Sequence, residues 1–173
     1  MHYNSKSESY ANIQSAFEHE AAGHVRYMIL EEDAKHRGNV DLANLYGNLA
    51  KEEFNHAKIW YRECRKEDEE GELAERIANE TEESALGYPG MASKAELEGY
   101  ENLADKFLAN GKAEATHRDM LMQYKNEIKD GSRYRNAEES MWRCTVCGHM
   151  HNGYTPPEEC PLCGYGTNAY VKA

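Results

Sequence analysis

The sequence predicts a mainly α protein: a four-helix bundle over residues 1–131, a linker over 132–140 and a small metal-knuckle domain over 141–173. Three observations carry that prediction. Residues Tyr27, Gly38, Glu53 and His56 recur 61 positions later as Tyr88, Gly99, Glu114 and His117, so the first part is two copies of a helix–turn–helix unit. Each copy contains Glu-x-x-His, in "KEEFNHAKIW" and again in "KAEATHRDML". Four of the five cysteines are confined to residues 144–163, which separates a second domain from the first.

The repeat places the inter-helix turns at Gly38 and Gly99, and helices at about 7–37, 39–67, 72–97 and 100–130. Pro89, which has no amide donor, should kink the third. The run "CRKEDEEGE", 64–72, has helix-favouring Arg, Lys and Glu with Gly71 its sole breaker, so helices two and three are expected to continue nearly end to end. The polar stretch 129–140 then leads into the cysteine segment.

Each helix has an inward stripe at steps of three and four residues, and each stripe carries acid. The stripes read Ile13, Phe17, Glu20, His24, Tyr27; Leu42, Leu45, Leu49, Glu53, His56, Trp60; Leu73, Ile77, Glu80, Glu83; and Leu103, Phe107, Asn110, Glu114, His117, Leu121. Buried carboxylates at one level of a bundle need a compensating cation, and no lysine lies on these stripes at that level. Five glutamates carry −5 and two divalent ions +4, which fits a dinuclear site. One Glu from each of two helices with Glu-x-x-His from each of the other two is the donor set of ferritin-like di-metal carboxylate proteins. A single Glu-x-x-His is usually a solvated pair; two in register across a repeat are not. His24 is expected to be a core or supporting histidine, and the Tyr27 and Tyr88 hydroxyls are candidates to bond ligand carboxylates.

The segment "WRCTVCGHMHNGYTPPEECPLCGYG" has the spacing Cys144-x2-Cys147-x12-Cys160-x2-Cys163. Gly148 and Gly164 permit the tight knuckle turns, and four thiolates bind zinc or iron tetrahedrally. His149 and His151 are expected to be exposed loop residues, and Cys64 an ordinary helix residue. A disulfide framework is not expected without signs of secretion. A net charge of −11 argues against nucleic-acid binding, no segment is apolar enough to span a membrane, and the cytoplasm is the expected compartment. The glycosylation-like Asn79-Glu80-Thr81 falls inside a helix and is discounted.

These motifs resemble the rubrerythrins, in which a ferritin-like di-iron domain precedes a rubredoxin-like domain. The resemblance rests on "AFEHEAAGHVRY", "EEFNHAK", "NETEESALGYP", "AEATH", the "WRC" entry and the "CPLCG" knuckle, and covers nearly the whole chain. It implies a di-iron site of Glu20, Glu53, His56, Glu80, Glu83, Glu114 and His117, with a mononuclear iron on Cys144, Cys147, Cys160 and Cys163. Glu83, the carboxylate beyond the ferritin set, and His56 are implied to take part in a metal-site rearrangement between oxidation states. The implied activity is reduction of hydrogen peroxide to water, with electrons relayed through the cysteine site from an external donor such as a rubredoxin or a nicotinamide-dependent reductase. No organic cofactor is expected, as no Gly-rich dinucleotide fingerprint occurs. A ferroxidase or iron-handling protein and a non-catalytic electron carrier are the competing readings. Ferritin-like topology also needs a long crossover between helices two and three, which residues 64–72 could provide only if almost fully extended. A domain-swapped homodimer is therefore expected.

Overall fold

The computed structural model describes residues 3–65 and 68–173. It is mainly α, with four helical spans followed by a small strand domain. Two compact units divide at residues 68 and 69.

The first unit is a hairpin of α1 (Glu8–His36) and α2 (Val40–Cys64). Ser7 starts α1 by accepting the Tyr10 amide at 3.2 Å, and Asn39 starts α2 by accepting the Leu42 amide at 3.2 Å. Between them Gly38 sits at φ +71°, the left-handed position a helix stop requires. The Asn39 amide closes the stop on the Ala34 carbonyl at 2.9 Å. The interface between the two helices is built on small residues, with Ala34, Ala43, Gly47, Ala50 and Ala57 buried and Ile13 the one large buried side chain.

The second unit repeats the hairpin in altered form. Helices α3 (Glu69–Glu82) and α4 (Tyr88–Leu97) are joined by a single π-turn, Glu83–Gly87, and are followed by α5 (Glu101–Asp130). Gly99 at φ +82° and the Tyr100 amide on the Ala95 carbonyl at 2.8 Å reproduce the stop of the first hairpin. Buried Ala95, Ala104 and Gly111 occupy the places of Ala34, Ala43 and Ala50, 61 residues on. Beyond Gly131 and a short 3-10 turn (Ser132–Tyr134) comes a sheet of order β2-β1-β3, made of β1 (Ser140–Cys144), β2 (Met150–Gly153) and β3 (Tyr170–Lys172). Trp142, 1% exposed, centres its core with Cys144, Cys160, Ala169 and Tyr170.

Three expectations change. Helix two stops at Cys64, because Arg65 turns to extended backbone, so it does not run on into helix three; the rest of its expected end, residues 66 and 67, lies outside the described residues. Helix three begins at Glu69 and is interrupted by the π-turn in place of a simple kink. Pro89 offers no amide to the Ala85 carbonyl, and the wider turn lets the Tyr88 amide reach Glu83 instead. The third change concerns the stripes. Leu45 and Leu103, expected on an inward face, are 53% and 43% exposed, because within each hairpin only the alanine-rich seam is covered.

Candidate metal centres

The π-turn explains a small irregularity in the repeat. Leu73, Ile77 and Glu80 stand 60 residues after Ile13, Phe17 and Glu20, whereas Tyr88 stands 61 after Tyr27. One residue has been added between Glu80 and Tyr88, and the π-turn absorbs it. Glu83 opens that turn, next to the site and with no counterpart in the first copy.

Each unit assembles one triplet of donors. In the first, His56 Nδ1 lies 3.3 Å from Glu53 Oε2 and 3.4 Å from Glu20 Oε2. In the second, His117 Nδ1 lies 2.7 Å from Glu114 Oε2 and 3.7 Å from Glu80 Oε2. Within each triplet the ligand atoms all lie within 4.8 Å of one another. The two histidines are half-exposed and the four carboxylates mostly covered. Six of the seven di-metal candidates thus fall into two like sets of two Glu and one His. Glu83 stands outside the triplets, yet its charge is felt at Glu80.

Charge and burial in these triplets favour a cation. A hydrogen bond shared with Glu53, then desolvation and the Glu53 charge, raise the Glu20 carboxyl, while the same bond lowers Glu53. The bond to Glu53 also raises His56, despite opposing desolvation. Desolvation raises Glu80, aided by the bond to Glu114 and the charges of Glu114 and Glu83. Glu80 Oε2 is buried with no hydrogen-bond partner, an orphaned oxygen whose natural partner is a metal ion. Both histidines turn Nδ1 towards the carboxylates, so Nδ1 is the nitrogen placed to hold a cation with them.

His24 takes a supporting place, as expected, and among the described residues the two tyrosines do not bond the carboxylates. His24 Nδ1 lies 2.8 Å from the Ala50 carbonyl and its ring stands on Phe54, a bracing role outside the triplet. Tyr27 stacks on Tyr46 and Tyr88 packs against Phe107, and among the described residues neither hydroxyl bonds a ligand carboxylate. Aromatic packing against the neighbouring helix has taken both rings.

The cysteine centre matches its spacing closely. Gly148 and Gly164 adopt φ +78° and +74°, as the knuckles require. All four Sγ atoms lie within 4.8 Å of one another, with Cys144–Cys163 at 3.7 Å and Cys147–Cys160 at 3.6 Å. A tetrahedron with metal–sulfur bonds of ~2.3 Å has edges of ~3.8 Å, so the thiols already stand at ligand spacing. They form no disulfide. Desolvation acts upward on Cys160 as the largest influence, but the Tyr170 hydroxyl and the Leu162 and Cys163 amides outweigh it and bring the thiol down to about 6. For Cys163 the Tyr165 amide acts downward, while desolvation and the neighbouring thiols push it up to about 12.

Both histidines of this segment depart from the expectation of exposed loop residues. His151 lies in β2 opposite Trp142 and is partly buried. His149 is also partly buried, its Nδ1 2.9 Å from the Tyr170 hydroxyl. A partner 21 residues away in the sequence has drawn the ring inward.

Comparison with known proteins agrees with this layout. Residues 11–86 match the family model described as rubrerythrin, and residues 142–170 match the one described as the rubrerythrin rubredoxin-like domain. A rubrerythrin from Nitratidesulfovibrio vulgaris is 31% identical, covering 92% of this chain and 91% of its own. The chain belongs to the rubrerythrin family. Further rubrerythrin relatives include one from Clostridium perfringens, 29% identical over 88% of this chain and 87% of its own, and a putative one from Methanocaldococcus jannaschii, 29% identical over 91% and 89%. As a rubrerythrin the chain is an oxidoreductase in general terms, and its donors fit the family's metals: Glu20, Glu53, His56, Glu80, Glu114 and His117 for two irons, with Glu83 at their edge, and Cys144, Cys147, Cys160 and Cys163 for a third. Among the described residues no helix is long and apolar enough to cross a membrane.

Proposed function

We propose that this rubrerythrin is a peroxidase that reduces hydrogen peroxide to water, drawing electrons through its four-cysteine centre from an external donor. The pair of matched donor triplets supports this reading most directly, because each alone is half of a dinuclear carboxylate site. When bound, two ferrous ions supply one electron each to the two-electron reduction, and the four-thiolate iron replenishes them singly.

The chain's own residues set the conditions for that chemistry. Glu20 and Glu53, and likewise Glu80 and Glu114, supply the negative charge that holds the ions, and His56 and His117 supply neutral Nδ1 donors. The hydrogen bond between Glu20 and Glu53 raises the Glu20 carboxyl and lowers that of Glu53, and a bound cation would favour the ionised form of both. Glu83, on the π-turn, is a carboxylate beyond the set required to bind, and single π-turns inside helices recur at functional sites. It is the residue available to engage or release as the charge of the site changes.

The assembly we propose is a domain-swapped homodimer, in which Glu20, Glu53 and His56 of one chain face Glu80, Glu83, Glu114 and His117 of another. Only residues 65–68 separate α2 from α3, a reach of ~18 Å at full extension. A crossover along α2, which has 25 residues, would need ~37 Å. Val25, Ile29, Leu45 and Ile59 on the first hairpin and Leu103 and Met120 on the second are 43–63% exposed, an apolar cover that a second helical layer would bury.

An attached one-electron centre distinguishes this reading from an iron-storing ferroxidase, which has no need of one. It follows that the four-cysteine site holds iron. Protein prepared with iron available should be red, bleach on reduction and recover its colour on adding peroxide. A colourless protein with zinc in that site and full donor-linked turnover would overturn the relay.

A further inference from the structure

Glu53, whose Oε2 lies 3.3 Å from His56 Nδ1, is met from the facing helix α1 by two consecutive residues, Gly23 and His24. A Cβ on Gly23 would stand 3.5 Å from Glu53 Cδ and 3.7 Å from its Oε1, so the carboxylate lies directly against the bare backbone of α1. Gly23 is not among the glycines at positive φ, so the turn geometry does not call for it, and a glycine inside a helix weakens that helix. What it provides is space. A methyl group would fit there at ordinary contact, and any longer side chain would enter the volume that the Glu53 carboxylate fills.

His24 grips the same stretch of α2 on both sides of Glu53. Its Nδ1 lies 2.8 Å from the carbonyl of Ala50, and its ring stands 5.2 Å from that of Phe54. A carbonyl has no proton to give, so Nδ1 carries the proton and the neutral ring leaves Nε2 bare. Ala50 is itself buried in the seam between the two helices, which gives the bond a fixed acceptor. In the second half the places three and four residues after Glu80 hold Glu83 and Ser84 instead of a glycine and a histidine. There the π-turn runs through both, and the Ser84 carbonyl faces Gly111, the counterpart of Ala50, 3.8 Å from where its Cβ would stand.

We propose that Gly23 and His24 are positioning residues that hold the Glu53 carboxylate where it binds a metal ion, Gly23 by leaving the space it fills and His24 by anchoring the helical turn that carries it. The proposal rests on the di-iron reading of the triplets. Glu53 is thereby set before an ion arrives, so the ordering cost of that ligand is met by the fold and the ion binds more tightly. The second half has no such anchor at the matching places, and carries there the additional carboxylate Glu83. The two halves of the repeat thus divide the work: the first holds its carboxylate still, and the second keeps one to spare.

The test titrates ferrous ion, without oxygen, into full-length protein whose four-cysteine site is already filled, and reads the free-ion concentration that half fills the helical site. His24→Leu keeps apolar bulk against Phe54 and removes the donor; half-filling should need about tenfold more ferrous ion. His24→Asn, whose amide can donate to the same carbonyl, should return close to wild type. Gly23→Leu should also need about tenfold more, although leucine is the better helix former and should not lower the melting temperature. Gly23→Ala should load as wild type does. Nitrogen NMR of isotope-labelled, metal-free protein gives a readout independent of loading: His24 should carry its proton on Nδ1, and a bare Nδ1 would overturn the anchor. Wild-type half-filling in both leucine variants, with or without a lowered melting temperature, would make the two residues mere packing and overturn the proposal while leaving the di-iron reading intact. Should one leucine variant fail to fold, the other decides alone. A wild-type protein whose helical site takes up no ferrous ion overturns the di-iron reading and the proposal together.

Discussion

Refolding a Glu53→Ala chain together with an equal amount of a Glu114→Ala chain is expected to restore roughly a quarter of wild-type peroxide reduction, although each variant alone is nearly inactive. The two residues belong to different triplets, Glu53 to the first hairpin and Glu114 to the second. In a swapped dimer each site takes its first triplet from one chain and its second from the other. A mixed dimer then has one site carrying both lesions and one carrying none. Random pairing makes half of the dimers mixed, and half of their sites intact. If instead each chain completed its own site, every site would keep one lesion and no mixture would recover activity. Each lesion is severe alone, because removing Glu53 leaves Glu20 and His56 without the carboxylate they share, and removing Glu114 strips His117 of its 2.7 Å partner. Gel filtration of each variant separates loss of activity from loss of assembly.

Glu83→Ala is expected to retain close to two irons per site while reducing peroxide turnover by about 10- to 100-fold. The retention follows from geometry, since the two triplets supply six donors without Glu83. The loss follows from position, because Glu83 opens the π-turn and its charge already reaches Glu80. Its loss removes one negative charge near Glu80 but none of the six triplet donors, so metal loading should change little. Metal content and single-turnover oxidation by peroxide measured on the same preparation decide the matter. A parallel fall in both would show that Glu83 is simply a seventh ligand needed for binding.

The repeat, the two Glu-x-x-His motifs and the cysteine spacing carried most of the architecture, because each is a local pattern with a fixed geometric meaning. Gly38 and Gly99 fall at positive φ as helix stops, and both triplets form as the stripes imply. The features that local patterns do not carry are non-local or depend on a single residue. The break at Arg65, where the backbone turns extended, replaces a predicted continuous helix although local propensity favours helix there. The π-turn was present in the sequence as a change of offset from 60 to 61 between Glu80 and Tyr88, a signal visible only when both copies are aligned through their carboxylates as well as their tyrosines. His149 gave no signal of its role, because its partner Tyr170 arrives from the last strand. Tyr27 and Tyr88 satisfied the pattern for supporting the carboxylates, and ring packing took them instead.

Stopped-flow mixing of the fully reduced, iron-loaded protein with peroxide and, separately, with oxygen separates a peroxidase from a ferroxidase. Peroxide should oxidise the di-iron site rapidly with two electrons per peroxide, the four-cysteine iron should follow as it refills that site, and oxygen should react much more slowly. Slow oxidation by peroxide with fast oxidation by oxygen would contradict it and identify a ferroxidase.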